Sequence, residues 1–294
     1  MPMVHSDPKI TKFYKDVPQE GIERLKAFRR DFPYQTMNID GREWRFIDSQ
    51  KGDQSLLMLV GGTTIAEVSM NSIEFCATKF RVIAPDYPPI DHVQELFEGY
   101  IELLDRLGIH QFSAMGGSYG GWMLQSFVRQ YPEKVKKAII SVVGPPNPEN
   151  SKQLARILPL VRILPLGIIR SLVNRTFTGL ESQRAGDPDQ LMIWALVKEV
   201  VFHRLQRKDF IALLRRLVDQ TQNYNFTADD LVDWKGKMLI IFGSKDPATP
   251  PEKREAMRAL YPQAKVVVVE GGEHGISMTE KDQYYGAIDS FLDN

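Results

Sequence analysis

The chain has 294 residues, 43% apolar and 25% charged, a globular balance that excludes disordered, fibrous and collagen-like classes. Its 37 Lys and Arg against 37 Asp and Glu leave no net charge, so no nucleic acid is expected as a partner held by phosphate neutralisation. The single cysteine, Cys76, excludes an intrachain disulfide and a cysteine-built metal cluster.

Residues 1–35 are polar and carry Pro18 and Pro33, which reads as an N-terminal extension with a helix at Gly21–Arg30. The segment Met1–Thr11 lacks the apolar stretch of a secretion signal. No uncharged apolar run approaches the roughly 18 residues of a membrane span. A cytoplasmic protein with no transmembrane segment is therefore expected. Two alternating runs flank Asp40-Gly41, a hairpin signature because both turn positions favour positive φ.

Beyond the hairpin, short apolar runs alternate with amphipathic stretches. Strands are expected at Ser55–Val60, Phe80–Ala84, Phe112–Met115 and Ala138–Val143, with helices at Asp91–Leu107 and Tyr119–Tyr131. Continuous apolar strands separated by helices predict an α/β fold with a mostly parallel sheet. The rhythm stops at Gly144-Pro145-Pro146. Residues 147–226 show no strand pattern and two amphipathic helices, near Asp189–Leu205 and Asp209–Gln222. It resumes with Met238–Gly243, Lys253–Leu260, Val266–Val269 and Lys281–Leu292. The organisation expected is an α/β core, residues 36–146 and 227–294, interrupted by a helical cap at 147–226.

The sharpest motif is Gly116-Gly117-Ser118-Tyr119-Gly120-Gly121, between an expected strand and an expected helix. A nucleophilic serine there would project from a tight elbow, with Gly116 and Gly120 leaving room for strand and helix to pass. Serine needs a base, and the base an orienting acid. Of the five histidines, His5 falls in the extension, His92 and His110 precede the serine, and His203 lies in the cap. His274, in Glu270-Gly271-Gly272-Glu273-His274-Gly275 after the last strand, is the expected base. Ser277-Met278-Thr279-Glu280 then reads as a capping box opening the last helix. Asp246, on the loop after Met238–Gly243, is the expected acid. Asp86 is read as a turn residue or pocket wall. Oxyanion donors are expected from the backbone N–H of Tyr119 and of Thr63, in Gly61-Gly62-Thr63-Thr64.

Arg156–Val173 is apolar with spaced arginines. It reads as a lid with its apolar side toward substrate, in preference to a membrane-surface element, because two prolines break it. Trp194 and Phe202 are expected to help form an apolar acyl or aryl pocket. Cys76 reads as an inert buried thiol, and the sequon Asn174-Arg175-Thr176 as accidental.

The elbow at Ser118, Asp246 on its Gly-x-x-Asp-x-x-x-Pro loop and His274 after the last strand resemble the α/β-hydrolase superfamily over about residues 36–146 and 236–294. The resemblance implies an α/β-hydrolase fold with Ser118 as nucleophile, His274 as base and Asp246 as acid. Gly61-Gly62 stands where that superfamily usually has His-Gly. The elbow is similar to that of proline iminopeptidases, although Val60-Gly61-Gly62-Thr63-Thr64 departs from their oxyanion loop. Arg81–Ala84, Tyr87-Pro88 and Asp91-His92 are similar to the maspardin family, which implies an interaction protein without turnover. The expectation drawn is a serine esterase acting on a small-molecule carboxylic ester, needing no metal or organic cofactor. A maspardin-like interaction protein, an amidase and a carbon–carbon bond hydrolase are its rivals. Oligomeric state is left open.

Overall fold

The computed structural model describes residues 8–178 and 187–293, apart from the side chains of 148–151. A single turn, α1 (Pro8–Thr11), precedes α2 (Gln19–Asp31) and the hairpin β1 (Tyr34–Ile39) and β2 (Arg42–Asp48). Asp40 and Gly41 take φ of 51° and 76° at its turn, as the sequence requires. There follow β3 (Gln54–Leu59), α3 (Met70–Cys76), β4 (Phe80–Pro85), α4 (Val93–Arg106), β5 (Phe112–Gly117), α5 (Tyr119–Gln130) and β6 (Val135–Ser141).

Four helices come next: α6 (Pro148–Ile163), α7 (Leu166–Thr178), α8 (Pro188–Glu199) and α9 (Arg207–Asn223). The chain closes with β7 (Lys237–Gly243), α10 (Pro251–Leu260), β8 (Lys265–Val269), the short α11 (Ile276–Thr279) and α12 (Lys281–Leu292).

The eight strands form one sheet, ordered β1-β2-β4-β3-β5-β6-β7-β8. The β1–β2 and β2–β4 pairs are antiparallel, and all others are parallel. Leu56–Leu59 of β3 and Met238–Gly243 of β7 are wholly buried, as strands covered by helices on both faces should be. Because β3, β5, β6, β7 and β8 run parallel, the loops leaving their C-terminal ends converge on one edge. That edge is where open α/β sheets carry ligand sites.

Several expectations are corrected. Residues 8–35 are not a polar appendage: Leu25 and Phe28 of α2 are buried in the core, and residues 1–7 of the expected extension lie outside the described residues. Strand β6 begins at Val135 rather than Ala138; its charged Lys136 and Lys137 hid two ladder residues. The 150–178 stretch is helical despite its prolines, with Pro159 inside α6 and Pro165 in the turn before α7. The helix read at Asp189–Leu205 ends at Glu199 and continues as a π turn over Val200–Arg204. The expected capping box is absent. Ser277 lies within α11, and Glu280 precedes α12 with no side-chain cap bond.

Candidate active site

Ser118 sits between β5 and α5 with φ 53° and ψ −121°, a conformation costly for a residue with a Cβ. The surrounding fold enforces it. The Ser118 N–H donates to the Ser141 carbonyl at 3.0 Å, tying the elbow to β6. A Cβ at Gly116 would strike the Gly120 carbonyl, and one at Gly120 would strike that of Leu59, so neither position admits a side chain. The N-terminus of α5 faces the same edge, with its first N–H groups unclaimed within the helix.

Asp246 lies three residues past β7. Its Oδ1 accepts from the Ala248 N–H at 2.9 Å and its Oδ2 from the Thr249 hydroxyl at 2.8 Å. Burial would push its carboxyl up, but the His274 ring, the Ala248 N–H and the Thr249 hydroxyl outweigh it. The result lies below the usual carboxylate range. His274 follows β8 on a loop turned by Gly271 at φ 74°. Its Nδ1 lies 3.1 and 3.2 Å from the two Asp246 oxygens, and its Nε2 lies 3.0 Å from Ser118 Oγ. Three residues expected to act together, and separated by up to 156 positions, thus form one continuous hydrogen-bonded chain.

The other described histidines do not compete. His92 lies 3.8 Å from Asp219, His110 bonds Asp105 at 3.2 Å, and His203 is exposed on the π turn. His5 lies outside the described residues. Asp86 takes the turn role and lines no part of the cavity at Ser118. It accepts from the Ala66 N–H at 2.7 Å and the Tyr34 hydroxyl at 2.8 Å, and burial pushes its carboxyl up to about 6. Cys76 is buried, and its thiol is pushed up to about 12 by desolvation.

Ser118 and His274 open onto a cavity of about 220 Å³. The loop after β3 forms one wall. There the Thr64 N–H donates to the Gly61 carbonyl at 2.9 Å, so the turn presents Gly62 and Thr63 to the cavity. A Cβ at Gly62 would lie 3.9 Å from that of Tyr119, the residue after Ser118. Gly62 therefore has the same standing as Thr63 as a backbone donor, which the turn pattern alone did not reveal.

Opposite stand Ile193, Trp194 and Val197 of α8, with Phe177 of α7. Trp194 lies where expected, but Phe202 does not: it stacks on Phe13 at 6.3 Å, away from the cavity. The lid expectation also changes. Of the apolar side chains in 156–173, Ile169 is buried and Val161, Leu164, Leu166 and Val173 pack against the core, whereas Ile157, Leu160, Ile163, Ile168 and Leu172 face outward.

A second residue that sequence reasoning missed is Arg216 of α9, which is fully buried and, among the described residues, has no carboxylate partner. Its Nε donates to the Tyr119 hydroxyl at 2.7 Å, and its Nη1 to the carbonyls of Pro88 and Ile90 at 3.0 and 2.6 Å. The guanidinium also lies 5.2 Å from the centre of the Tyr87 ring. It fastens α9 to the residue that follows Ser118. It lies four residues from each of the buried Ala212 and Gln220, a spacing that marks a buried face but not what an arginine would bond there.

Among the described residues, no three His, Cys, Asp or Glu side chains are grouped to hold a metal ion. No described helix is long and apolar enough to cross a membrane.

Residues 54–281 match the family model described as alpha/beta hydrolase fold. An uncharacterised protein of Mycobacterium tuberculosis is 24% identical over 270 residues, covering 82% of this chain and 76% of its own. A thermophilic esterase from Thermogutta terrifontis superposes with a TM-score of 0.65 at 20% identity, covering 88% of this chain and 97% of its own. An enol-lactonase from Burkholderia xenovorans LB400 gives a TM-score of 0.70 at 14% identity, covering 88% and 100%.

Proposed function

We propose, from the premise that this chain belongs to the alpha/beta hydrolase fold family, that it is a serine hydrolase cleaving small carboxylic esters. The observation that carries the reading is the unbroken chain from Asp246 through His274 to Ser118 at the wall of an apolar cavity.

In this reading His274 Nε2 takes the Ser118 proton as Oγ attacks the ester carbonyl carbon. Asp246 holds Nδ1–H and stabilises the imidazolium that forms. The negative oxygen is held by the N–H groups of Tyr119 and Thr63, with Gly62 beside them. The intermediate collapses as Nε2 returns the proton to the departing alcohol. Water, deprotonated by the same nitrogen, then cleaves the acyl-enzyme and frees the acid and Ser118.

Cavity size and lining narrow the substrate. About 220 Å³ falls below the roughly 300–1,000 Å³ of sites for drug-sized ligands, which favours short acyl or single-ring groups. No carboxylate lines the cavity among the described residues, so a substrate amine would find no counter-charge. That favours a neutral ester over the aminoacyl substrate of an iminopeptidase.

A fluorophosphonate probe should label the protein one to one at Ser118, and a graded ester panel should peak at short acyl chains. Ser118→Ala should abolish labelling and lower kcat by roughly 10⁴–10⁶-fold. A chain that neither labels nor turns over any ester would instead be an interaction protein on the same fold.

A further inference from the structure

Beyond the chemistry of the cavity, we infer that the outer face of the α6–α7 hairpin docks on an anionic lipid surface. Five of the seven large apolar side chains exposed among the described residues lie on these two helices. They are Ile157, Leu160 and Ile163 on α6 and Ile168 and Leu172 on α7. They flank the turn at Leu164-Pro165, and Ile163 next to it is 77% exposed. The other two, Val232 and Val268, lie singly on other parts of the chain, so this concentration needs a partner.

Charge identifies the partner's class. From Ser151 to Thr178 the sequence carries Lys152, Arg156, Arg162, Arg170 and Arg175 and no acidic residue, in a chain whose total charge is zero. Arg156, Arg162 and Arg175 are exposed beside the apolar residues, whereas Arg170 is turned to the Leu205 carbonyl. Apolar side chains alternating with arginines suit the boundary between headgroups and acyl chains. The side chains enter the hydrocarbon while the guanidinium groups reach phosphates. A second copy of this chain is a poorer occupant, because pairing the two faces would bring like charges together. Helix α7 also supplies Phe177 to the cavity wall, so docking would hold the reactive cavity near the lipid.

The test is sedimentation of the whole protein with phosphatidylcholine vesicles, with and without phosphatidylglycerol, at low and high salt. Binding is expected to the anionic vesicles only, and to fall at least tenfold on adding salt. Ile163→Glu, at a site open to water, should abolish it. Replacing Arg156, Arg162 and Arg175 together by Gln should weaken it by roughly 10²-fold or more. Turnover of a water-soluble ester should stay unchanged in both variants, which separates loss of docking from loss of fold. In an Ile163→Trp variant, emission should shift to the blue when anionic vesicles are added. No binding to anionic vesicles at low salt, or binding indifferent to these substitutions, would overturn the inference. So would light scattering that shows a dimer broken by Ile163→Glu, or an acidic protein, rather than lipid, as the occupant.

Discussion

Replacing Asp246 by Asn changes almost no volume but sets an NH₂ beside His274 Nδ1. The Ala248 N–H, 2.9 Å from Oδ1, can only donate, so the amide oxygen must take that place. The amide NH₂ then falls at Oδ2. There the Thr249 hydroxyl, at 2.8 Å, can rotate to accept one hydrogen. The other hydrogen points to His274 Nδ1, 3.2 Å from that position. When that contact displaces the 3.1 Å one to the amide oxygen, Nδ1 is the bare nitrogen and the ring proton sits on Nε2, facing Ser118 Oγ at 3.0 Å. The base is switched off without any displacement. A wrong tautomer of this kind costs about 10⁴-fold in kcat, or about 5.4 kcal/mol at 1.36 kcal/mol per decade. Stability carries a second signature. The Asp246 carboxyl lies below its ordinary range when folded, so its ionised form stabilises the fold at neutral pH. That contribution is lost as pH falls through the folded value, and the variant's deficit should shrink with it. Stopped-flow release of nitrophenol from a short-chain ester measures the acylation burst directly. A variant with native near-ultraviolet dichroism and kcat within tenfold of the parent would refute both the tautomer argument and the role given to Asp246.

What the sequence made legible depended on whether the cause was local. Asp40-Gly41 announced its hairpin because two positive φ angles are a property of two residues. Ser118, Asp246 and His274 were each readable from a glycine-rich turn at the end of an apolar run. Their convergence followed from the parallel sheet, which places all such ends on one edge. Non-local causes were hidden. The worth of Arg216 lies in Tyr119, Pro88 and Ile90, which helical periodicity on α9 does not mention. Gly62 gains its claim from a neighbour 57 positions away, Tyr119. Helix α6 runs through Pro159, although proline removes a helical hydrogen bond, because α6 packs along α9. The apolar content of 156–173 gave the helices' composition but not how it divides: Val161, Leu164, Leu166, Ile169 and Val173 pack inward, while five others face outward. Phe202 was assigned to the pocket on hydrophobicity alone, and the π turn carries it to Phe13 instead.

Gly120→Ala should destabilise the fold by roughly 2–4 kcal/mol, since the new methyl meets the Leu59 carbonyl at a close helix–strand passage; urea unfolding measures it. Tyr119→Phe, which deletes only the hydroxyl held by Arg216, should lower kcat about tenfold with little change in KM. Unchanged kcat in steady-state assays would make Arg216 a purely structural tie. The last expectation concerns pH and Asp86. Burial raises its folded value to about 6 from an ordinary 3.8, against the opposing pull of the Ala66 N–H, Arg45, the Tyr34 hydroxyl and Arg204. A carboxyl raised on folding binds its proton more tightly in the native state, so its ionisation costs stability above pH 6. The cost is relieved as pH falls from about 6 to about 4. A shift of about two units amounts to roughly 3 kcal/mol. Asn at this position keeps its amide oxygen for both the Ala66 N–H and the Tyr34 hydroxyl, which share Oδ1, and puts its NH₂ on the side of Arg45, but never ionises. Asp86→Asn should therefore gain stability relative to the parent at pH 8 and lose that advantage by pH 4. Taking the difference between the two proteins cancels every other titrating group that the substitution leaves alone. Urea unfolding at pH 4.5, 6 and 8 reads it directly. A difference independent of pH across that range would mean that Asp86 enters the folded state already ionised at its ordinary value, with the Ala66 N–H and Arg45 fully offsetting its burial.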